Sequence, residues 1–146
     1  MDGIDAVATS IDGYGLDMKA SFLRMATEPI DDLQQQLRQL AANINTDIGL
    51  DSTALQVGRK TLHAIAQLGF NNIDLIALHG QTIFHEPPKS VQLIDPSPIV
   101  STFDCTVLTD PRAADLQLGG QGAPITPLAD WIMFRDKACD TAVVNL

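Results

Sequence analysis

Two stretches of the 146-residue chain hold the side chains best suited to chemistry. The first, His79-Gly80-Gln81-Thr82, sets an imidazole, a bare backbone unit, an amide and a hydroxyl in a row. An imidazole gains or loses a proton near neutral pH, while amide and hydroxyl groups exchange hydrogen bonds with a polyol or with buried backbone. The second is the run TDPRAADLQLGGQGAP at 109–124, where Asp110, Arg112 and Asp115 precede Gly119, Gly120 and Gly122. Arginine and aspartate bind hydroxyls, carboxylates or phosphates, and glycines ahead of a helix opened by Thr126 and Pro127 can expose N–H groups to an anion or a sugar. Both stretches also have a purely architectural reading. His79 and Gln81 would then satisfy buried backbone groups, and the glycines would simply punctuate a loop.

Several familiar chemistries are excluded. The glycine run lacks the Gly-Lys-Ser/Thr ending of a P-loop and does not match G-x-G-x-x-G. His79, Ser101 and Asp110 lack the Gly-x-Ser-x-Gly elbow of a hydrolase triad, and His63, His79 and His85 lack zinc-site spacing. A formal charge of -9 and a pI near 4.4 oppose binding to nucleic acid, which needs clustered cations. No apolar run approaches the roughly 18 residues of a membrane span, and no basic-then-apolar start suggests export, so no membrane partner and a cytoplasmic setting are expected. Cys105 and Cys139 stand in apolar surroundings and read as buried thiols of a reducing compartment.

In open α/β sheets ligands sit beyond the carboxyl ends of strands, so strands must deliver both stretches. Ile4, Ala6, Ala8 and Ser10, then Leu16, Met18, Ala20 and Phe22, alternate around Asp12-Gly13-Tyr14-Gly15 as a β-hairpin. From Pro29 the period becomes helical, with Ile30, Leu33, Leu37, Leu40, Ala41 and Ile44 on one stripe. A second helix is expected over 52–68, capped by Asp51 or Ser52, stopped by Gly69, and facing inward through Leu55, Leu62, Ile65 and Ala66. The apolar run at 73–78 suits a strand buried on both faces and ends at His79. A short helix over 97–103 and a strand over 106–108 lead to Asp110. A helix from Thr126 to about Asp136 should bury Leu128, Trp131 and Ile132, and the run from Thr141 to Leu146 reads as a final strand whose carboxyl end would be a third ligand-facing position. The fold class is therefore α/β: a mixed sheet with an N-terminal hairpin followed by alternating helices and strands.

Five segments in this order, MDGIDAV, HGQTIFHEP, QLIDPSPIV, TDPRAADLQLGGQGAPITP and AVVNL, resemble the anhydro-N-acetylmuramic acid kinase family. The resemblance implies a ribonuclease-H-like, actin-like ATPase domain of the actin, Hsp70 and hexokinase superfamily. Residues 1–146 would be a single incomplete domain matching the first, N-terminal domain of a two-domain bacterial sugar kinase. It also implies ATP and Mg²⁺ as cofactors, a small sugar as substrate, and room for a homodimer of the full-length enzyme. The family opens the 1,6-anhydro ring with water while phosphorylating O6, giving N-acetylmuramic acid 6-phosphate in peptidoglycan recycling. On this resemblance Asp2, Gly3 and Asp5 match the end of a phosphate loop, with Asp2 toward the metal. His79, Gly80, Gln81 and Thr82, together with Asp110, Arg112, Asp115, Gly119, Gly120, Gln121 and Gly122, match the sugar-side wall.

The departures from the family pattern shape the expectation as much as the matches. Ile94 stands where the family usually has glycine, Pro111 where it has phenylalanine, and Ala113 and Ala114 where arginines are common. The first half of the phosphate loop has no counterpart, and the family's catalytic aspartate falls beyond Leu146. No catalytic residue is therefore expected in this chain, and no turnover from it alone. A non-catalytic sugar-binding or interaction domain, or a kinase for a related sugar, are the competing readings.

Overall fold

The N-terminal alternation forms strands β1 (Gly3–Asp12) and β2 (Lys19–Pro29), paired antiparallel in the computed structural model, which describes residues 3–43, 49–135 and 138–143. A 3₁₀ turn at Gly15–Asp17 widens the loop, so β2 begins at Lys19 rather than near Leu16. A register shift between Ala8 and Thr9 leaves Ala8 opposite Arg24 and Thr9 opposite Phe22. Such a bulge sharpens the twist that lets one face of the hairpin wrap onto a helix.

Helices α1 (Asp31–Ala42) and α2 (Leu50–Gln67) follow. Helix α1 buries Leu33, Leu37 and Leu40 on the stripe expected from its spacing, while Ile44 lies outside the described residues. Two acidic residues, Asp31 and Asp32, occupy its first turn, where the helix dipole favours negative charge. Helix α2 faces inward through Thr53, Val57, Thr61, Ala64 and Ile65; of the expected residues Ile65 is buried, Leu62 is half-covered against the core, Leu55 is half-covered and Ala66 is exposed. Threonine is tolerated there because the Thr61 hydroxyl donates to the Val57 carbonyl at 2.8 Å. Gly69 stops the helix as expected, with φ of 72°.

The remaining elements are β3 (Leu75–Leu78), β4 (Gln81–Glu86), β5 (Lys89–Leu93), α3 (Ser97–Val100), β6 (Thr106–Thr109), α4 (Ala113–Gln117) and α5 (Pro127–Phe134). Parallel and antiparallel pairs both occur, as expected of a mixed architecture. Among the described residues, however, the strands form three separate two-stranded ladders, β1–β2, β3–β6 and β4–β5, rather than one sheet. Hairpin turns close the first and third ladders on themselves, and Pro87-Pro88 makes the tight turn of the third, leaving β3 to pair with β6.

Two hydrophobic clusters hold these pieces. Ala6, Ala64, Ile65, Leu68, Ile76, Leu78 and Ile99 form one, and Ile30, Leu33, Leu37, Leu40, Val57, Ile83 and Leu93 the other. Each fully buried leucine or isoleucine contributes roughly 1.5–3 kcal/mol by leaving water. Strand β3 is buried on one face only, since α2 and α3 cover Ile76 and Leu78 while Leu75 and Ala77 stay exposed. Helix α5 likewise buries nothing among the described residues: Leu128 and Trp131 are exposed and Ile132 is half-covered. Cys105 packs beside the first cluster, whereas Cys139 is exposed, contrary to the expectation of two buried thiols.

The final strand expected over Thr141 to Leu146 is not borne out where it can be followed. Residues 141–143 are exposed and pair with no strand among the described residues, so they lack the ladder partner that a strand requires. Val144, Asn145 and Leu146 lie outside the described residues, and so does the expected ligand-facing end of that element at Leu146. No helix among the described residues is long and apolar enough to cross a membrane.

Polar ties fix the end of the hairpin to α2. The Glu28 carboxylate accepts from His63 Nδ1 at 2.6 Å and from Gln67 Nε2 at 2.9 Å, with Lys60 Nζ at 3.6 Å. Lys60 also donates to the Pro29 carbonyl and pairs with Asp32 at 3.1 Å. The hydrogen bond from His63, assisted by the nearby positive charge, holds Glu28 below the ordinary glutamate value of 4.5. A carboxyl lowered by folding stabilises the chain above its ordinary value and loses that contribution as pH falls toward the lowered one. Thermal melting should therefore fall as the pH drops through and below the ordinary value of 4.5. Glu28→Gln should lower the melting temperature at neutral pH and flatten that acid dependence. An unchanged pH profile in the variant would remove Glu28 from this role.

A Cβ on Gly58 would press into the Asp95 carbonyl oxygen and approach Pro98. That close approach lets the segment before α3 dock on α2, where the Asp95 N–H donates to the Ala54 carbonyl at 3.0 Å. Gly58→Ala should cost about 1–3 kcal/mol by overpacking, despite its better helix propensity. Chemical denaturation measures it, and a neutral or stabilising change would contradict the tight contact.

Candidate functional site

His79 leaves the carboxyl end of β3, and Gly80, left-handed at φ of 76°, turns the chain into β4. A Cβ at Gly80 would lie 3.0 Å from Ile94 Cγ2, so Ile94, the residue that departs from the family pattern, fills the space above this turn. Gln81 and Thr82 open β4. The Thr82 hydroxyl donates to Gln92 Oε1 at 2.6 Å, Gln92 Nε2 donates to Ser90 Oγ at 2.8 Å, and His85 Nδ1 lies 3.0 Å from that hydroxyl. Thr82 thus begins a polar chain running across the β4–β5 hairpin.

Gly3, Asp5, His79, Gly80 and Gln81 line one cavity of about 170 Å³, floored by Val57 and Thr61 of α2 and flanked by Ile94. The structure therefore brings the start of β1 to the end of β3. Asp5 Oδ1 accepts from the Thr27 hydroxyl at 2.6 Å, and its other oxygen takes no hydrogen bond among the described residues. Asp2 lies outside those residues. A larger hollow of about 460 Å³ between α1 and α2 contains none of the candidate site residues.

The second stretch leaves the carboxyl end of β6. Asp110 adopts φ of 47°, a left-handed conformation that is unusual outside glycine and concentrates at functional sites. Arg112 is half-buried and reaches back to the first stretch, its Nε donating to His79 Nε2 at 3.3 Å. The other face of His79 is engaged too, with Nδ1 at 3.0 Å from the Gly80 carbonyl oxygen. This contact joins the two stretches into one surface.

Helix α4 and the way it ends escaped the sequence reading. Gly119 N–H donates to the Leu116 carbonyl at 3.1 Å and Gly120 N–H to the Asp115 carbonyl at 2.8 Å, with Gly119 at φ of 85°. This pattern is a Schellman cap, so the first two glycines of the loop terminate a helix. The signal was present as Ala-Ala-Asp-Leu-Gln-Leu before Gly-Gly, a short run with a helix stop. Asp115 does more than lend its carbonyl: its Oδ2 accepts from the Gly122 N–H at 2.7 Å. A Cβ on Gly120 would fall into that carboxylate, and one on buried Gly122, at φ of 65°, would meet Leu116 Cγ at 2.8 Å. Gln121 between them is exposed. Thr126 occupies the N-cap position of α5 but makes no side-chain cap.

Among the described residues no three His, Cys, Asp or Glu side chains gather as a metal cage. Magnesium needs no such cage, because it keeps several waters and takes one or two carboxylates together with substrate phosphates. Asp5, which lines the cavity and has one carboxylate oxygen without a hydrogen bond among the described residues, fits that donor set.

A family model described as anhydro-N-acetylmuramic acid kinase matches residues 1–146. A protein of that name from Bacillus cereus (strain B4264) is 30% identical over 161 aligned residues, covering all of this chain and 41% of its own length. Proteins of that name from Bacillus thuringiensis subsp. konkukian and Bacillus anthracis are 29% identical, with 42% of their length covered. The chain spans about two fifths of the length of the curated relatives it matches.

The Asp115 carboxylate should decide the shape of the glycine loop. Asp115→Ala removes the acceptor for Gly122 N–H and should speed hydrogen exchange at that amide by about tenfold or more, while Asp115→Asn, which keeps an acceptor, should have a smaller effect. Unchanged exchange in Asp115→Ala would show that the loop holds its form without the side chain.

Proposed function

The chain belongs to the anhydro-N-acetylmuramic acid kinase family, and from that premise we propose that it forms the N-terminal part of a sugar kinase with a ribonuclease-H-like fold. The substrate would be anhydro-N-acetylmuramic acid, its ring opened by water and its O6 phosphorylated from ATP, as part of peptidoglycan recycling in a bacterial cytoplasm. A full-length homodimer is part of the same proposal. The supporting observation is the shared cavity: Gly3 and Asp5, expected on the phosphate side, line it together with His79, Gly80 and Gln81, expected on the sugar side.

Phosphoryl transfer depends mainly on positioning and on neutralising charge, so a protein can catalyse it by holding two substrates in line. In this reading Gly3 lets the phosphates approach the backbone, and Asp2 and Asp5 face the hydrated Mg²⁺, which when bound neutralises phosphate charge. The Gln81 amide, the lone pairs of the Thr82 hydroxyl, the Gln121 N–H and the carbonyls of Gly119, Gly120 and Gly122 offer hydrogen bonds to sugar hydroxyls, since the hydroxyl proton and the three glycine N–H groups are already engaged within the chain. Asp115 shapes that loop, Asp110 adds a carboxylate at the strand end, and His79 and Arg112 join the two stretches. A general base must lie within about 3 Å of its proton, and the one that activates water is assigned to none of these residues but to the family's aspartate beyond Leu146.

Calorimetric titration of anhydro-N-acetylmuramic acid into the 146-residue chain should give a heat of binding, and a coupled assay with ATP and Mg²⁺ should give no product. Absence of binding would overturn the sugar-side assignment. Turnover would overturn the assignment of the base beyond Leu146.

A further inference from the structure

The contact between the two stretches fixes more than their distance. A carbonyl oxygen can only accept, so the 3.0 Å contact from His79 Nδ1 to the Gly80 oxygen places a proton on Nδ1. An arginine Nε–H can only donate, so the 3.3 Å contact from Arg112 requires a lone pair on His79 Nε2. One protonation state satisfies both partners, the neutral Nδ1–H tautomer. A protonated ring would turn N–H against N–H and set two cations side by side. Because Arg112 is held through Nε, its terminal Nη1 and Nη2 groups remain as a paired edge, and neither makes a hydrogen bond or ion pair among the described residues.

We propose that His79 is a positioning residue whose neutral Nδ1–H ring aims Arg112, so that the terminal edge of the guanidinium receives a carboxylate of the ligand. A planar pair of N–H groups matches the two oxygens of a carboxylate in parallel. Asp110 lies two residues before Arg112 and Asp115 three residues after it, surroundings that favour a singly charged group over a phosphate. The choice of a sugar carboxylate rests on the family reading, in which the sugar is an acid. The positioning itself does not.

The ring can be read directly in the ¹⁵N-labelled chain by nitrogen NMR at neutral pH, without ligand. His79 should show a protonated Nδ1 and an Nε2 that accepts, and Arg112→Ala should shift the ring toward the Nε2–H form that free imidazole prefers. A protonated Nε2 in the parent chain, or a ring spectrum unmoved by Arg112→Ala, overturns the positioning role. The ligand is tested by titrating anhydro-N-acetylmuramic acid against its methyl ester. The acid should bind at least about tenfold more tightly, as expected for hydrogen bonds to a charged group, and Arg112→Ala should erase the difference. His79→Gln, whose side-chain carbonyl can still accept from Arg112, should keep most of the preference, whereas His79→Ala should lose it. Equal binding of acid and ester by the parent chain overturns the carboxylate assignment alone. Binding of neither overturns the sugar wall and the carboxylate assignment with it, while the ligand-free spectrum decides the positioning role independently.

Discussion

Helix α2 gives Val57 to one hydrophobic cluster and Ala64 and Ile65 to the other, which Leu68, just past the helix end, extends. Among the described residues the three ladders share no strand hydrogen bonds, and this helix relates the hairpin to the β3–β6 pair through the cluster of Ala64, Ile65, Ile76 and Leu78 and, with α1, to β4–β5. Its dimensions set how closely the start of β1 approaches the end of β3. Val57 and Thr61 floor the cavity at that meeting point, which makes the core helix also the base of the candidate site.

The parts of the fold that were legible in sequence are those where a single local rule governs. Leu33, Leu37 and Leu40 mark α1 through their spacing, and Gly69 marks the end of α2 through its left-handed backbone. Where tertiary contacts choose between faces, the local pattern misled. Helix α2 buries Thr53 and Thr61, the latter with its hydroxyl bonded to its own helix, leaving Leu55 and Leu62 only partly covered. Strand β3 looks fully buried by composition, yet α2 and α3 cover one face and leave Leu75 open. The β4–β5 hairpin had no local signal, because its turn is made by Pro87-Pro88 and not by the Asn-Gly or Gly-containing pairs that mark a two-residue hairpin.

At the site, sequence identified the right chemical types but not how they are committed. Much of the polar capacity is already engaged within the chain: Thr82 with Gln92, Asp115 with Gly122, His79 with both Gly80 and Arg112. The glycine-rich run divides in the same way, since Gly119 and Gly120 cap a helix while Gly122 answers a carboxylate. No composition rule distinguishes a glycine that ends a helix from one that admits a ligand. The difference lies in which carbonyl or carboxylate each N–H meets, and that is a property of the assembled backbone.

The aromatic residues carry a practical consequence. The sequence has one tryptophan and one tyrosine. Trp131 lies half-exposed on α5 with the Arg135 guanidinium 4.1 Å from its ring, and Tyr14 stands almost fully in solvent at the hairpin loop. Neither belongs to a hydrophobic cluster. Intrinsic fluorescence therefore watches the periphery: emission from Trp131 follows α5 and its cation, while the clusters around α2 can loosen without an optical signature. The hydrophobic clusters of this chain hold neither tryptophan nor tyrosine, and their melting is better followed through the backbone.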